Sequence, residues 1–209
     1  MIKIIIADDH AVVRTGLKQI IEQDPNLKVT GEASSGFELL EKIREGNYDV
    51  VLLDISMPGK DGLATLKDIK RINPKLPVLI FTVYPEDQYA VRLLKAGASG
   101  YLNKECEPEE LIEAIHRVAM GRKYVSENLA ELLATKLEET SAVPLHEQLS
   151  DREFQVMCLI ASGKTIKEIA KELHLSANTV STYRIRILEK MGMRSNAEIT
   201  HYAIKNGLV

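Results

Sequence analysis

Residues 48–59 read YDVVLLDISMPG, an apolar run that ends on Asp54 and passes into a Pro-Gly turn. A short run of valine and leucine bounded by turn-forming residues is typical of a strand buried on both faces of a parallel sheet. The residue that follows such a strand lies at an edge of the sheet. We therefore expect Asp54 at a sheet edge, with its carboxylate available for chemistry.

Each of three further apolar runs also ends on polar residues. The runs and their final residues are IKIIIADDH (2–10) with Asp8 and Asp9, LPVLIFT (76–82) with Thr82, and SGYLNK (99–104) with Lys104. In an open sheet of parallel strands, ligands bind outside the carboxyl ends, near the switch in strand order. The four runs therefore predict one shared active site. The alternative is that each acid only caps a helix or lies solvated in a loop.

The first 120 residues alternate short apolar runs with helical patterns. This alternation predicts an α/β fold with a five-stranded, doubly wound parallel sheet covered on both faces. The predicted strands are residues 2–7, 28–33, 49–53, 77–82 and 99–102, and the predicted helices are 11–23, 36–46, 62–73, 86–96 and 108–119. Turn-forming residues separate these segments, including those at 58–62.

The chain is predicted to have three parts, in keeping with a length of 209 residues. Residues 1–122 form the sheet domain, residues 123–147 a helix and a linker, and residues 148–209 a second, all-α domain. The helix lies near 126–138, and the polar stretch 139–148 lacks periodicity, as expected of a linker.

Four helices are predicted in the last part. Ser150 and Glu153 form a capping-box pattern at the start of the first helix, which ends at Gly163. The other three are TIKEIAKELH (165–174), ANTVSTYRIRILEKM (177–191) after a Ser176 cap and before Gly192, and a last helix near 195–206.

Charge is distributed unevenly between the two halves of the chain. Residues 1–149 contain 18 Lys or Arg and 24 Asp or Glu, whereas residues 150–209 contain 9 and 6. A basic second half indicates a polyanionic partner. No apolar run is long enough to cross a membrane and no signal peptide is evident, so a cytoplasmic location without membrane contact is expected. The two cysteines show neither metal-site nor disulfide spacing.

The clustered acids predict a Mg²⁺ site, because a hard divalent cation relieves the repulsion between adjacent carboxylates and prefers oxygen ligands. Asp9 and Asp54 would bind the ion directly and Asp8 through water, with the backbone carbonyl of Ser56 as a further ligand. Imidazole suits this ion poorly, so His10 is expected to start the first helix instead.

With the cation bound, Asp54 can attack a phosphoryl group, because carboxylates form aspartyl phosphates when the developing charge is neutralised. Lys104 would place a positive charge beside one phosphate oxygen, and Thr82 would offer its hydroxyl to another. The spacing of these residues resembles that of response-regulator receiver domains, and residues 148–209 resemble the LuxR-type helix-turn-helix. Together they resemble NarL/FixJ-type transcription factors, whose receiver has a flavodoxin-like fold.

The resemblance implies that Asp54 is the phosphoacceptor and that Thr82, Lys104 and Tyr101 take part in switching. Without the resemblance, Tyr101 would be interpreted as a half-buried strand aromatic. It further implies a histidine kinase partner, because the chain has no nucleotide-binding motif of its own. Phosphorylation would control dimerisation and binding to duplex DNA, and the chain would not be an enzyme beyond its own phosphorylation and dephosphorylation.

The same resemblance indicates candidate DNA contacts in the C-terminal domain. The base-facing candidates are Ser181, Thr182 and Ile185, and the backbone-contact candidates are Lys164, Thr165, Asn178, Thr179, Arg184, Arg186 and Lys190. Such a helix suits a major groove lined by phosphates. Alternatively, the arginines are only solvated charges on a helix face.

Two other function classes remain open at this point. One is an aspartate-based phosphatase, although its nucleophile should follow the first strand in a D-x-D pattern, and this strand carries Asp8 and Asp9 side by side. The other is a receiver that acts only through protein partners, with the C-terminal helices as an adaptor. Salt-sensitive binding to duplex DNA would separate the adaptor from a transcription factor.

Overall fold

The structure is a computed structural model that describes residues 1–57, 62–138 and 144–209. The predicted turn at 58–62 and the predicted linker at 139–148 therefore lie partly outside the described residues. The chain divides into two compact units, Met1–Leu133 and Ala134–Val209. Within the described ranges, no helix is both long and apolar enough to cross a membrane.

The first unit contains a parallel sheet of five strands in the order β2-β1-β3-β4-β5. The strands are β1 (Ile2–Ala7), β2 (Leu27–Ala33), β3 (Val50–Leu53), β4 (Val78–Thr82) and β5 (Gly100–Asn103). Since β1 neighbours both β2 and β3, the strand order reverses beside β1, as in a doubly wound sheet. The predicted α/β fold class is confirmed.

Helices connect the strands and cover the sheet. They are α1 (Ala11–Ile21), α2 (Gly36–Glu45), α3 (Gly62–Ile72), α4 (Glu86–Lys95) and α5 (Pro108–Ala119), and α6 (Glu127–Glu138) follows them. Pro108 occupies the first turn of α5, where its missing N–H is not needed. All four residues of β3 and all five of β4 are buried, which explains why β3 is continuously apolar and β4 is apolar up to Thr82.

Strand register and one close contact position the candidate site. Ala7 of β1 pairs with Leu53 of β3, so the residues that follow them, Asp8 and Asp54, leave the sheet side by side. At the start of α3, a Cβ on Gly62 would lie 2.3 Å from the Cα of Ile55. Only glycine allows α3 to begin this close to the chain that leaves β3.

The second unit is helical. Its helices are α7 (Asp151–Ala161), α8 (Ile166–Glu172), α9 (Ala177–Met191) and α10 (Asn196–Lys205). The predicted capping box of Ser150 and Glu153 is present at the start of α7, and Ser176 caps α9. Gly192 ends α9 with a φ of 65°, a left-handed conformation that glycine adopts without strain. The predicted all-α class of this part is confirmed.

The end of the predicted linker packs against the helical unit. Residues Leu145–Gln148 form a short 3₁₀ helix, and His146 within it lies 3.0 Å through its Nδ1 from the hydroxyl of Tyr202 in α10. The His146 ring also packs 5.8 Å, centroid to centroid, from the ring of Phe154 in α7. These contacts join the 3₁₀ helix to the helical unit. They come from residues distant in sequence, so no local periodicity predicted them.

Candidate functional site

Asp8, Asp54 and Lys104 meet at the carboxyl edge of the sheet. The Lys104 Nζ lies 2.6 Å from Asp8 Oδ2 and 2.7 Å from Asp54 Oδ2, and both carboxylates are buried. Burial disfavours the charge on Lys104, but the attraction and hydrogen bonds of Asp54 and Asp8 outweigh it and raise the pKa of its ammonium. One cation thus bridges two carboxylates that would otherwise repel each other.

The remaining contacts of Asp54 fix its carboxylate. Its Oδ1 accepts hydrogen bonds from the Ser56 hydroxyl at 2.8 Å and from the Ser56 backbone N–H at 3.1 Å. Its own backbone N–H donates to the carbonyl of Ala7 at 2.9 Å. Both carboxylate oxygens therefore have a donor, and the group is held at the edge between β1 and β3.

Asp9 and His10 lie beside this group. Asp8 Oδ1 accepts a hydrogen bond from the His10 backbone N–H at 2.8 Å, and Asp9 Oδ1 lies 3.0 Å from His10 Nδ1. His10 is the N-cap residue of α1, in line with the structural role expected for it, and its ring is largely exposed.

The donor set fits Mg²⁺. Within the described residues, Asp8, Asp9 and His10 form the cluster whose candidate ligand atoms lie within 4.8 Å of one another. The carboxylate of Asp54 joins the same edge through Lys104. Three carboxylates and a backbone carbonyl at Ser56 are the oxygen donors that this ion prefers. The residues present can therefore hold a magnesium ion. Lys104 binds two of the same carboxylates, those of Asp8 and Asp54.

Thr82, at the end of β4, is fully buried, and its Oγ1 has no hydrogen-bond partner among the described residues. A buried hydroxyl without a partner is costly, so such groups in native proteins call for an explanation. The backbone carbonyl of Thr82 accepts from the Lys104 N–H at 2.8 Å, which ties the ends of β4 and β5 together.

Tyr101 of β5 is fully buried, more so than the half-buried aromatic that strand preference alone predicts. Its hydroxyl donates to the backbone carbonyl of Tyr84 at 2.8 Å and lies 3.3 Å from that of Pro85. Asn103 Nδ2 lies 3.4 Å from the same Tyr84 carbonyl. The structure thus holds the ring in an inward position, bound to the chain that follows Thr82.

The cysteines take no part in this site. Cys106, just beyond Lys104, has its pKa raised to about 11 by burial and by the nearby carboxylate of Glu110, so its thiol stays protonated near neutral pH. Cys158 is buried in α7.

In the helical unit, α8 and α9 pack through apolar side chains. Ile169 of α8, Leu173 at its C-terminal end, and Val180 and Ile187 of α9 are all buried. The opposite face of α9 presents Asn178, Thr182, Ile185 and Glu189, spaced three and four residues apart, and all are exposed. Ile185 is the apolar exception, with 52% of its surface exposed.

Several candidate DNA contacts already have partners inside the unit. Three basic side chains donate to a partner: Lys164 Nζ to Glu172 Oε2 at 2.5 Å, Arg184 Nε to Asn196 Oδ1 at 2.6 Å, and Lys190 Nζ to Glu153 Oε2 at 2.6 Å. The Thr165 hydroxyl donates to the Glu168 carboxylate, and the Thr179 hydroxyl is hydrogen-bonded to the Ser176 hydroxyl. Within the described residues, the side chains of Asn178, Ser181 and Arg186 have no such partner. The candidates thus fall into two groups that the sequence did not separate.

Sequence reasoning also missed the second role of Glu153. Its capping contact with Ser150 was predicted, but its ion pair with Lys190 joins α7 to α9 across 37 positions. The cap can be predicted from the local sequence because Ser150 and Glu153 lie within one helical turn of each other. Pairing between distant helices leaves no such signal in one sequence.

Comparisons with known proteins agree with this arrangement. The response regulator receiver domain model matches residues 4–116, and that of the bacterial regulatory proteins of the luxR family matches residues 147–203. Response regulator UvrY of Escherichia coli is 37% identical over 209 residues, covering 100% of this chain and 96% of UvrY. Response regulator GacA of Pseudomonas aeruginosa is 38% identical over 210 residues, covering 100% and 98%.

A solved structure is similar over nearly the whole length. It is RcsB from Salmonella enterica serovar Typhimurium bound to a promoter in the presence of the phosphomimetic BeF3⁻, with a TM-score of 0.64, 27% identity, and coverage of 96% of this chain and 97% of RcsB. The fold and the strand-end groups define a receiver. The chain belongs to the two-component response regulators, with a transcription-regulating output domain of the luxR family, and the predicted resemblance is confirmed.

Proposed function

We propose that a partner histidine kinase phosphorylates Asp54, and that this modification controls dimerisation and sequence-specific DNA binding by residues 148–209. The observation that carries the proposal is the Lys104 ammonium, which bridges Asp8 and Asp54 at 2.6 and 2.7 Å. A carboxylate at the end of a buried strand, with such a cation beside it, is suited to accept a phosphoryl group. We also propose the division into residues 1–122, 123–147 and 148–209.

In the transfer, one carboxylate oxygen of Asp54 forms a bond to phosphorus while the bond from phosphorus to the kinase's histidine nitrogen breaks. The electron pair of the broken bond stays with the leaving imidazole. Lys104 is within reach of the oxygens of the new phosphoryl group, which compete with Asp8 and Asp54 for its N–H donors. The energetic gain is the neutralisation of charge in a site that water reaches poorly.

Asp9, Asp54 and the Ser56 carbonyl would hold Mg²⁺, with Asp8 acting through water, and the bound ion would neutralise negative charge on the phosphoryl oxygens. The oxygen-rich donor set supports this assignment. Thr82 supplies a further donor, because its buried hydroxyl has no hydrogen-bond partner among the described residues and a phosphate oxygen would satisfy it.

Thr82 and Tyr101 are the proposed switch. A phosphoryl group that attracts the Thr82 hydroxyl favours an arrangement in which the Tyr101 ring is inward, the position seen here with its hydroxyl bound to the Tyr84 carbonyl. The phosphate can shift this equilibrium only by the difference in its contacts with the two states. The inward ring would reshape the surface formed by residues 83–107, which is the proposed route to dimerisation.

For DNA recognition, α9 is the proposed reader of the major groove. Thr182 and Ile185 lie on its exposed face, and Ser181 lies at the margin of that face. The exposed apolar side chain of Ile185 suits contact with thymine methyl groups. Asn178 and Arg186 are the backbone contacts best supported, because their side chains have no other partner within the described residues. A related protein, RcsB, has been solved bound to promoter DNA.

The five engaged candidates are proposed as secondary contacts. Lys164, Thr165, Thr179, Arg184 and Lys190 would each exchange an internal bond for a phosphate contact, and that exchange reduces the net gain. Their contribution to affinity should therefore be smaller than that of Arg186. The chain's own chemistry remains limited to accepting and losing the phosphoryl group.

Genomic footprinting with and without an acyl phosphate donor tests the proposed function. Sites that appear only with the donor, and that are lost in the Asp54→Ala variant, are the expected result. Footprints that do not respond to the donor, or that respond equally in Asp54→Ala, would contradict phosphorylation control.

A further inference from the structure

A concave pocket of about 420 Å³ lies at the amino-terminal edge of the sheet, away from Asp54. Pro77 and Ser99, which immediately precede β4 and β5, line it together with the C-terminal ends of α3, α4 and α5. The length of β4 separates this edge from Thr82, and five residues of strand span roughly 15 Å. The pocket is therefore separate from the phosphoacceptor site.

Positive charge dominates the lining of this pocket. Its cationic residues are Lys70, Lys75, Lys95, Arg122 and Lys123, and none of the described residues that line it is acidic. They come from three segments of the chain: the end of α3 and the connection to β4, the end of α4, and the residues after α5. A sequence pattern therefore does not predict the cluster. Folding alone concentrates the charge.

Helix ends explain only part of this charge. Three helices end at the pocket, and each C-terminus carries roughly half a negative charge. Lys70 Nζ donates to the carbonyl of Leu76 at 2.7 Å, and Lys123 Nζ donates to that of Ala98, just past α4. Among the described residues, the side chains of Lys75 and Arg122 have no partner.

Two of the lysines are crowded. Burial and the nearby charge of Lys123 lower the pKa of Lys70, which indicates that the two ammonium groups disfavour each other. Gly97, with a φ of 105°, packs on the stem of Lys70, because a Cβ there would lie 3.2 Å from the Lys70 Cγ. The backbone thus holds Lys70 against the pocket, and a bound anion would relieve the repulsion.

We propose that this pocket binds a small polyphosphate anion, inorganic or carried by a nucleotide, through Lys75, Arg122 and the lysines around them. Its volume of about 420 Å³ lies in the range of small-ligand sites. Lysine ammonium groups bind phosphate as point charges and arginine as a bidentate donor. An anion with several negative charges can contact Lys75, Arg122 and a neighbouring lysine together, which favours a triphosphate over a monophosphate.

Calorimetric titration of the full-length protein with inorganic triphosphate tests the proposal. The titration is done with a chelator present, so that Mg²⁺ chemistry at Asp54 takes no part. Lys75→Gln combined with Arg122→Gln should weaken binding by about tenfold or more. The matched control is Lys18→Gln combined with Arg44→Gln, two exposed cations in the last turns of α1 and α2.

Saturable binding that is lost in the pocket variant and kept in the control supports the proposal. No binding, or equal weakening in both variants, overturns it, because both results mean that the charge acts only as a diffuse field. Arg186→Gln, which alters only the output domain, must leave the affinity unchanged; a loss there would place the ligand on that domain and also overturn the proposal. A parallel titration with ATP separates the sources, since equal affinity indicates recognition of the phosphates alone and tighter binding indicates a nucleotide.

Discussion

Charged groups are organised differently at the carboxyl edge of the sheet and on the recognition helix α9. At the sheet edge, Asp8 and Asp54 are buried and share one cation, Lys104. On α9, Arg186 is exposed, while Lys190 is bound to Glu153 in α7. A buried shared cation makes each group depend on the others, whereas exposed charges act nearly independently. Substitutions at the edge should therefore have large, coupled effects, and those on α9 small and separable ones.

Removing the shared cation should have the largest effect. Lys104→Met leaves two buried carboxylates side by side without a positive charge, which we expect to destabilise the receiver domain by about 3 kcal/mol without divalent ions. Urea denaturation measures this change. The matched control is Lys42→Met. Lys42 lies 2.7 Å from Glu38, but both side chains are more than a third exposed, so a loss of stability below about 1 kcal/mol is expected. Equal losses would contradict the comparison.

The close contact that begins α3 should rank second. Gly62→Ala places a Cβ 2.3 Å from the Ile55 Cα, and overpacking of this kind costs about 2 kcal/mol. It should also slow phosphorylation of Asp54, since Ile55 adjoins that residue. Gly16→Ala is the control: no atom lies within 4 Å of the added carbon inside α1, and the change should stabilise by up to about 1 kcal/mol. Thermal unfolding and phosphorylation rates check both, and a neutral Gly62→Ala would refute the contact.

On α9, two neighbouring cations should differ in their effects on DNA affinity. Arg186→Gln should weaken DNA binding by about tenfold and reduce the slope of log K against log salt by about one, because one phosphate contact is lost. Lys190→Gln should change the affinity much less and lower the stability of the output domain instead. Fluorescence anisotropy over a salt series measures both. The reverse ranking would show that the ion pair with Glu153 opens on DNA.

The smallest effect concerns pH. Burial raises the pKa of Glu153, but its bonds to Lys190 and Ser150 outweigh this and hold the pKa below its usual value of 4.5. A carboxyl with a lowered folded-state pKa contributes stability above pH 4.5 that is lost as the pH falls through the folded value. Unfolding of the output domain, followed as the pH is lowered from neutral to below 4.5, should show this loss. Glu153→Gln should flatten the dependence, and an unchanged profile would contradict the ion pair.

These contrasts also explain what the sequence predicted. The strand ends could be predicted because short apolar runs and the turns after them are local patterns, and β1 and α5 match the predicted bounds. The meeting of Asp8, Asp54 and Lys104 followed from the rule that parallel strands share an edge. The ion pair of Lys190 and the full burial of Tyr101 depend on tertiary packing between distant segments, which one sequence does not reveal.

Intact-mass analysis with peptide mapping, after incubation with Mg²⁺ and a small acyl phosphate donor, tests the central claim most directly. The account predicts the mass of one added phosphoryl group, located on Asp54 and absent from Asp54→Ala. No added mass, or a phosphoryl group on another residue, would contradict it.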